Sequence, residues 1–403
     1  MLLSFEQALA TVREKLSEAN PKPLTETLPL HQVHGRVLAE DVVADRDYPP
    51  FNRSIRDGYA VRPADVSSVP VTLECLGEVR AGEGFPGTVG PGECVEIMTG
   101  APLPAGADAV VMIEHVRVQG SRVEVLRTVG PNENVVRQGS EAVKGSRVLP
   151  GGRRLGPGEL GLLASVGKAR LRVFWPPQVA ILPTGDELVP YDALPGPYQI
   201  RNSNAVALAA LVVAVGGVPR QLGIAPDQRQ VLHRLILDGL ESDLLLLSGG
   251  VSMGKYDFVG QVLSELGAEF FIQGVTMRPG KPLVFGRCGK KFFFGLPGNP
   301  VSAYVTFELF VRPAIAMLGG ARFEFPSFLR ARLGRPYNHR LGLTAFMPAR
   351  VEVQNGEPVV YLVGWQGSGD LVGVAAANCF LVVHREQTEL AAGDWVDVLP
   401  KPA

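Results

Sequence analysis

The chain has 403 residues, with 39 Lys or Arg against 40 Asp or Glu, a formal charge of −1. That balance argues against sequence-independent nucleic-acid binding, which needs a basic face to displace phosphate counterions. Hydrophobic residues at 46% and charged residues at 20% fit a folded protein of about two to three domains.

Residues 1–45 open with a helical repeat of apolar positions (Phe5, Leu9, Val12, Leu16) and continue into the turn-rich NPKPLTETLP. Glu6 stands where a secretory signal would need an apolar core, so no export signal is read here. His31 and His34 have helical metal-ligand spacing but no acidic or cysteine companion, and they are not read as a metal site. From Asp47 to about residue 139, short β-branched stretches separated by Gly/Pro turns predict a small all-β module. Residues 140–172 return to loop-and-helix texture. The economical reading is a first domain, 1–45 and 140–172, interrupted by an inserted β domain, 46–139.

Residues 173–320 repeat strand, Gly-rich loop and helix. This pattern predicts a parallel α/β sheet that binds ligands at the carboxyl ends of its strands. Asn202 or Ser203 is positioned to cap the helix NSNAVALAALVVAVGG. The longest apolar run, Ala205 to Val218, is shorter than the roughly 18 residues a membrane span needs. Residues 321–403 turn β-rich and predict a small barrel or sandwich. The four cysteines, Cys75, Cys94, Cys288 and Cys379, are far apart in sequence, and reduced thiols in a cytoplasmic protein fit best.

Three loops follow strands of the α/β region: TGDEL (184–188), SGGVSMG (248–254) and PGNPVS (297–302). Glycines there let backbone amides approach an anion. Ser248, Gly249, Gly250, Ser252, Gly298, Asn299 and Ser302 are therefore candidates for holding a phosphate-bearing ligand. Neither a Walker A nor a GxGxxG motif occurs in this region, which disfavours a P-loop NTPase or an ordinary dinucleotide fold. Asp186, Glu187 and Asp257, with Asp227 on the GIAPD turn, would suit Mg²⁺, which takes a few carboxylates plus waters and substrate phosphates. Arg278 and Lys281 in MRPGKP could hold an oxyanion. Asp57 and Thr99, each before a glycine in a long loop of the inserted module, are candidate catalytic positions.

These segments resemble the molybdopterin molybdenumtransferases, the molybdenum insertases of molybdenum cofactor biosynthesis, also represented by the C-terminal domain of gephyrin. The likeness runs in order through GRVLAEDV, SIRDGYAVRPAD, MTGAPLPAGADAVVM, ILPTGDEL, IRNSN, SGGVSMGKYD, MRPGKP, GLPGNPVSAYVTF and QGSGDLVGVAAANCF. It implies a multidomain α/β plus β fold: a discontinuous linker domain, the inserted β domain, a parallel α/β pterin-binding domain and a β-barrel-like C-terminal domain. It also implies a homodimer whose active site pairs the α/β domain of one subunit with the inserted domain of the other. The implied reaction is Mg²⁺-assisted cleavage of adenylylated molybdopterin, with release of AMP and loading of molybdate. By this resemblance Asp57, Thr99, Glu187, Asp227 and Asp257 are catalytic; together with the loop carboxylates read above, the metal candidates are Asp186, Glu187 and Asp257. Ser252, Lys281, Pro282 and Ser302 belong to the pterin and molybdate loops, with Ser368 and either Arg340 or Arg350 as oxyanion ligands. A molybdopterin adenylyltransferase is a candidate partner. The alternative functions are an adenylyltransferase-like enzyme, a tungstate-loading paralogue or a non-catalytic scaffold. Three basic residues depart from the family pattern: Arg53 and Arg56 in FNRSIRDGYA, and Arg278, a planar fork in place of an ammonium.

Overall fold

The computed structural model describes residues 2–250, 258–339 and 342–401. Ser252, Asp257 and Arg340 lie outside them. The N-terminal repeat forms helix α1, Phe5–Ala19. A capping box starts it: the Ser4 hydroxyl accepts from the Gln7 amide and the Gln7 side chain accepts from the Ser4 amide.

The α/β region carries strands β1 (Gln178–Pro183), β2 (Val218–Gln221), β3 (Leu244–Ser248), β4 (Glu269–Gln273), β5 (Val284–Cys288) and β6 (Lys291–Leu296). Its helices are α2 (Ser203–Ala214), α3 (Arg229–Gly239), α4 (Phe258–Glu265), α5 (Pro300–Thr306) and α6 (Arg312–Leu318). The sheet order is β2-β1-β3-β6-β5-β4. Strands β2, β1, β3 and β6 are parallel, as the buried apolar runs predict. Strand β5 runs antiparallel to both β6 and β4, so the sheet is mixed. The cause is the two-residue turn between Cys288 and Lys291, where Gly289 adopts φ 58°.

Helix α1 lies in the linker segment by chain position, yet its apolar face enters the core of the α/β region. Phe5, Ala8, Leu9, Val12 and Leu16 pack into one cluster with Val179, Ile181, Phe310 and Ile315. Phe5 meets Phe310, Phe328 and Phe346 edge to face at 5.9, 6.3 and 5.5 Å between ring centres. The helical run Pro300–Leu318 is long and apolar enough to cross a membrane by composition, but most of it is buried in this same core.

The two flanks of the inserted module pack together. Thr25–Pro29 pairs antiparallel with Arg170–Phe174, and Val33, Leu38, Leu155, Leu163 and Leu171 share one cluster. The inserted module itself is a six-stranded sheet between Gly58 and Val125. Beyond the α/β region, β7 (Leu329–Leu333), β8 (Thr344–Gln354), β9 (Glu357–Leu362), β10 (Cys379–Val383) and β11 (Trp395–Pro400) close into a barrel. The ring runs β8-β9-β7-β11-β10 and returns to β8. The protein is thus a multidomain α/β plus β fold.

Candidate active site

The chain leaves β1 for β2 on one side and later returns to β3 on the other. Strand order therefore reverses between β1 and β3, and such a switch point leaves a crevice at the carboxyl ends of the strands. Thr184 follows β1 and its amide donates to the Ser248 carbonyl at 2.9 Å. Gly249 and Gly250 then turn with φ of 89° and 63°. A Cβ on Gly249 would lie 2.6 Å from the Thr184 carbonyl oxygen, and one on Gly250 would lie 2.6 Å from Thr184 Oγ1. Both the dihedrals and the close approach require glycine here.

The end of β6 joins the same point. Asn204, in the first turn of α2, donates through Nδ2 to Ser248 Oγ at 2.9 Å and to the Gly298 carbonyl at 2.7 Å. Asn299 Nδ2 donates to Ser368 Oγ at 2.9 Å, and the Val301 amide to the Ser368 carbonyl at 2.9 Å. Ser248, Gly249, Gly250, Gly298, Asn299 and Ser368 are thus brought together, with the last supplied by the C-terminal barrel region. Ser302 is set back, buried inside α5, where its carbonyl accepts from the Thr306 hydroxyl at 2.7 Å.

The acidic residues form the neighbouring rim. Asp186 Oδ1 accepts from the Asp227 amide at 3.0 Å, and the Glu187 carboxylate folds over Gly185. The Asp227 carboxyl is pushed above the ordinary range by partial desolvation, then by the charges of Asp186 and Glu187. None of the three forms an ion pair among the described residues. A cavity of about 540 Å³ opens beside Asp186, lined also by Tyr191, Asn202 and Gln221. Among the described residues no three His, Cys, Asp or Glu side chains are grouped to hold a metal. Of the expected metal ligands, Asp186 and Glu187 lie side by side and Asp257 falls outside the described residues.

Lys281 and Pro282 line a larger cavity of about 1120 Å³ with Val259, Leu263, Phe270 and Phe293. Arg278 sits at the preceding short strand, Met277–Arg278, which runs parallel to β8. Arg278 and Lys281 are exposed and unpaired among the described residues. Arg350 is held elsewhere, in an exposed ion pair with Glu352 at 3.2 Å. In the inserted module Asp57 and Thr99 are joined directly: the Thr99 amide donates to Asp57 Oδ1 at 2.7 Å. Bonds from the Thr99 amide and side chain hold the Asp57 carboxyl below its usual range. No hydrogen bond or ion pair links this pair to the α/β loops of the same chain among the described residues.

Residues 3–167 match the MoeA N-terminal region (domain I and II), 180–317 a probable molybdopterin binding domain, and 330–401 the MoeA C-terminal region (domain IV). A molybdopterin molybdenumtransferase of Nostoc sp. is 37% identical over 388 residues, covering 94% of this chain and 89% of its own. The chain belongs to the MoeA family. A molybdopterin molybdenumtransferase of Haemophilus influenzae is 35% identical over 404 residues, covering 99% of this chain and 98% of its own. The crystal structure of the molybdopterin biosynthesis moeA protein from Pyrococcus horikoshii OT3 superposes with a TM-score of 0.80 at 30% identity, across the full length of both chains.

Within this candidate site, two residues escape a reading of the motifs one by one. Asn204 reads as part of a helix start, whereas the cap is Asn202, whose Oδ1 accepts from the Ala205 amide. Asn204 instead clamps two loops. Thr184 reads as the start of a polar loop, yet it is buried and its hydroxyl lacks a partner among the described residues. The available signal was a Thr between a buried strand and a glycine.

Proposed function

We propose that this chain is a molybdopterin molybdenumtransferase that inserts molybdate into adenylylated molybdopterin and releases AMP. The single observation that carries the reading is the convergence of the Thr184, Ser248 and Gly298 loops at the switch point, in a chain of the MoeA family. In this reading the backbone of Gly249, Gly250 and Gly298 receives the terminal phosphate, because glycine loops let amides close on an anion. Arg278 and Lys281, unpaired among the described residues, would hold molybdate or phosphate oxygens by charge-assisted hydrogen bonds. Ser368, fastened to Asn299, brings a hydroxyl to the same edge.

The acidic rim fits Mg²⁺. Asp186, Glu187 and Asp227 concentrate negative charge with no cationic partner among the described residues, and the cost shows in the raised Asp227 carboxyl. Mg²⁺ is commonly held by one or two carboxylates with substrate phosphates and waters completing the shell, so a three-residue protein cage is unnecessary. Bound there, the ion would neutralise charge developing on the phosphoanhydride. Asp186 and Glu187 are the residues that would hold it, and Asp227 closes the rim by donating its backbone N–H to Asp186 Oδ1.

Asp57 and Thr99 are proposed to complete the site of a second subunit, in a cytoplasmic homodimer. Their mutual hydrogen bond preorganises a carboxylate without support from the α/β loops of their own chain among the described residues. The test is incubation with adenylylated molybdopterin, Mg²⁺ and molybdate, with AMP and molybdenum cofactor quantified. AMP release together with cofactor formation supports the reading. Adenylate formation from ATP and molybdopterin would instead favour an adenylyltransferase.

A further inference from the structure

A buried hydroxyl without a hydrogen bond is an uncommon feature, because leaving a buried polar group unpaired is costly. Among the described residues Thr184 Oγ1 is such an atom, in a residue only 2% exposed. It sits at the switch point, against the backbone of Gly250. The amides of Gly250, Gly298 and Asn299 likewise donate to no group among the described residues. A buried hydroxyl and several amides of exposed residues, lacking acceptors among the described residues and collected at one strand edge, make a donor set for an oxyanion.

We propose that Thr184 is a binding residue of this site, whose hydroxyl donates to a phosphate oxygen of the bound pterin. The inference rests on the function proposed above and extends it, since that reading uses the loop at Thr184 but gives its hydroxyl no role. The packing of the neighbouring loop supports it. Gly250 leaves space that a Cβ would fill at 2.6 Å from Thr184 Oγ1, while Gly249 lies against the Thr184 backbone carbonyl, so the loop closes directly on this residue. It follows that a threonine with no partner among the described residues should stabilise the empty protein no better than valine of the same shape. Its hydroxyl contributes only when a ligand arrives, which is the signature of a site that trades stability for binding.

The experiment compares Thr184→Val and Thr184→Ser with the unaltered protein. Melting temperature is measured without ligand, and molybdopterin binding by ultrafiltration and fluorescence of the oxidised pterin. Thr184→Val keeps the shape and deletes the hydroxyl, so its melting temperature should equal or exceed that of the unaltered protein. Its molybdopterin affinity should fall roughly ten- to a hundredfold, the loss of one hydrogen bond to a charged group. Thr184→Ser should retain affinity within about threefold. Unchanged affinity in Thr184→Val, or a lowered melting temperature with affinity intact, overturns the proposal and makes the hydroxyl structural. If the unaltered protein itself retains no molybdopterin, the functional reading fails first and the proposal falls with it. The two failures are therefore distinguishable.

Discussion

Asp227 shows how far the chemistry of the rim depends on its neighbours. Its carboxyl is raised because desolvation and the charges of Asp186 and Glu187 oppose ionisation. A raised carboxylate weakens folding at pH above its titration and relaxes as pH falls through it. A cation bound at the rim acts in the opposite sense, favouring the ionised form. We therefore expect the Mg²⁺ concentration for half-maximal AMP release to rise as pH is lowered through the Asp227 titration. Asp227→Asn should flatten that dependence, and an unaltered pH profile would contradict the account. Glu187→Gln should lower AMP release about 10²- to 10³-fold, as loss of a charge-stabilising group does, with molybdopterin binding largely kept. Lys281→Ala removes a cation that is exposed and unpaired among the described residues, so melting temperature should stay unchanged while molybdate affinity drops roughly ten- to a hundredfold. Calorimetry with molybdate decides the latter.

At the scale of elements, the strand ends were legible as motifs, but the links between them were not. Periodicity placed helix α1, and an apolar run bounded by glycine placed β3. Nothing local tells where the apolar face of α1 goes: Phe5 finds Phe310, Phe328 and Phe346 more than 300 residues away. The same limit hid Asn204, whose partners Ser248 and Gly298 lie 44 and 94 residues further on. The Cys288–Lys291 turn was missed because a Gly-Lys pair is a modest hairpin signal inside a run of apolar strands. The ordered motifs singled out Asp57 and Thr99, and in the structure a hydrogen bond joins the two. Phe5→Ala should cost about 3–5 kcal/mol, the usual loss for a buried aromatic. Thermal unfolding should show this as one of the larger single-residue losses, and a near-neutral change would contradict the anchoring role of α1.

The whole molecule sets its proposed chemistry in two places. The acidic rim and anion loops belong to the α/β region, while the Asp57–Thr99 pair belongs to the inserted module. If two subunits share each site, Asp57→Asn and Glu187→Gln are each inactive alone but complement one another. A mixed dimer holds one doubly altered site and one intact site, so random mixing should restore about a quarter of full activity. Light scattering should give the mass of two chains, and absence of complementation in a verified mixed dimer would confine the site to one subunit. The central claim is the coupled reaction itself, and its most direct measurement is the stoichiometry of AMP released to molybdenum cofactor formed from adenylylated molybdopterin with Mg²⁺ and molybdate. The account predicts one AMP for each cofactor formed, with both lost together in Glu187→Gln. Cofactor formation without AMP, or AMP release indifferent to the acidic rim, would contradict it.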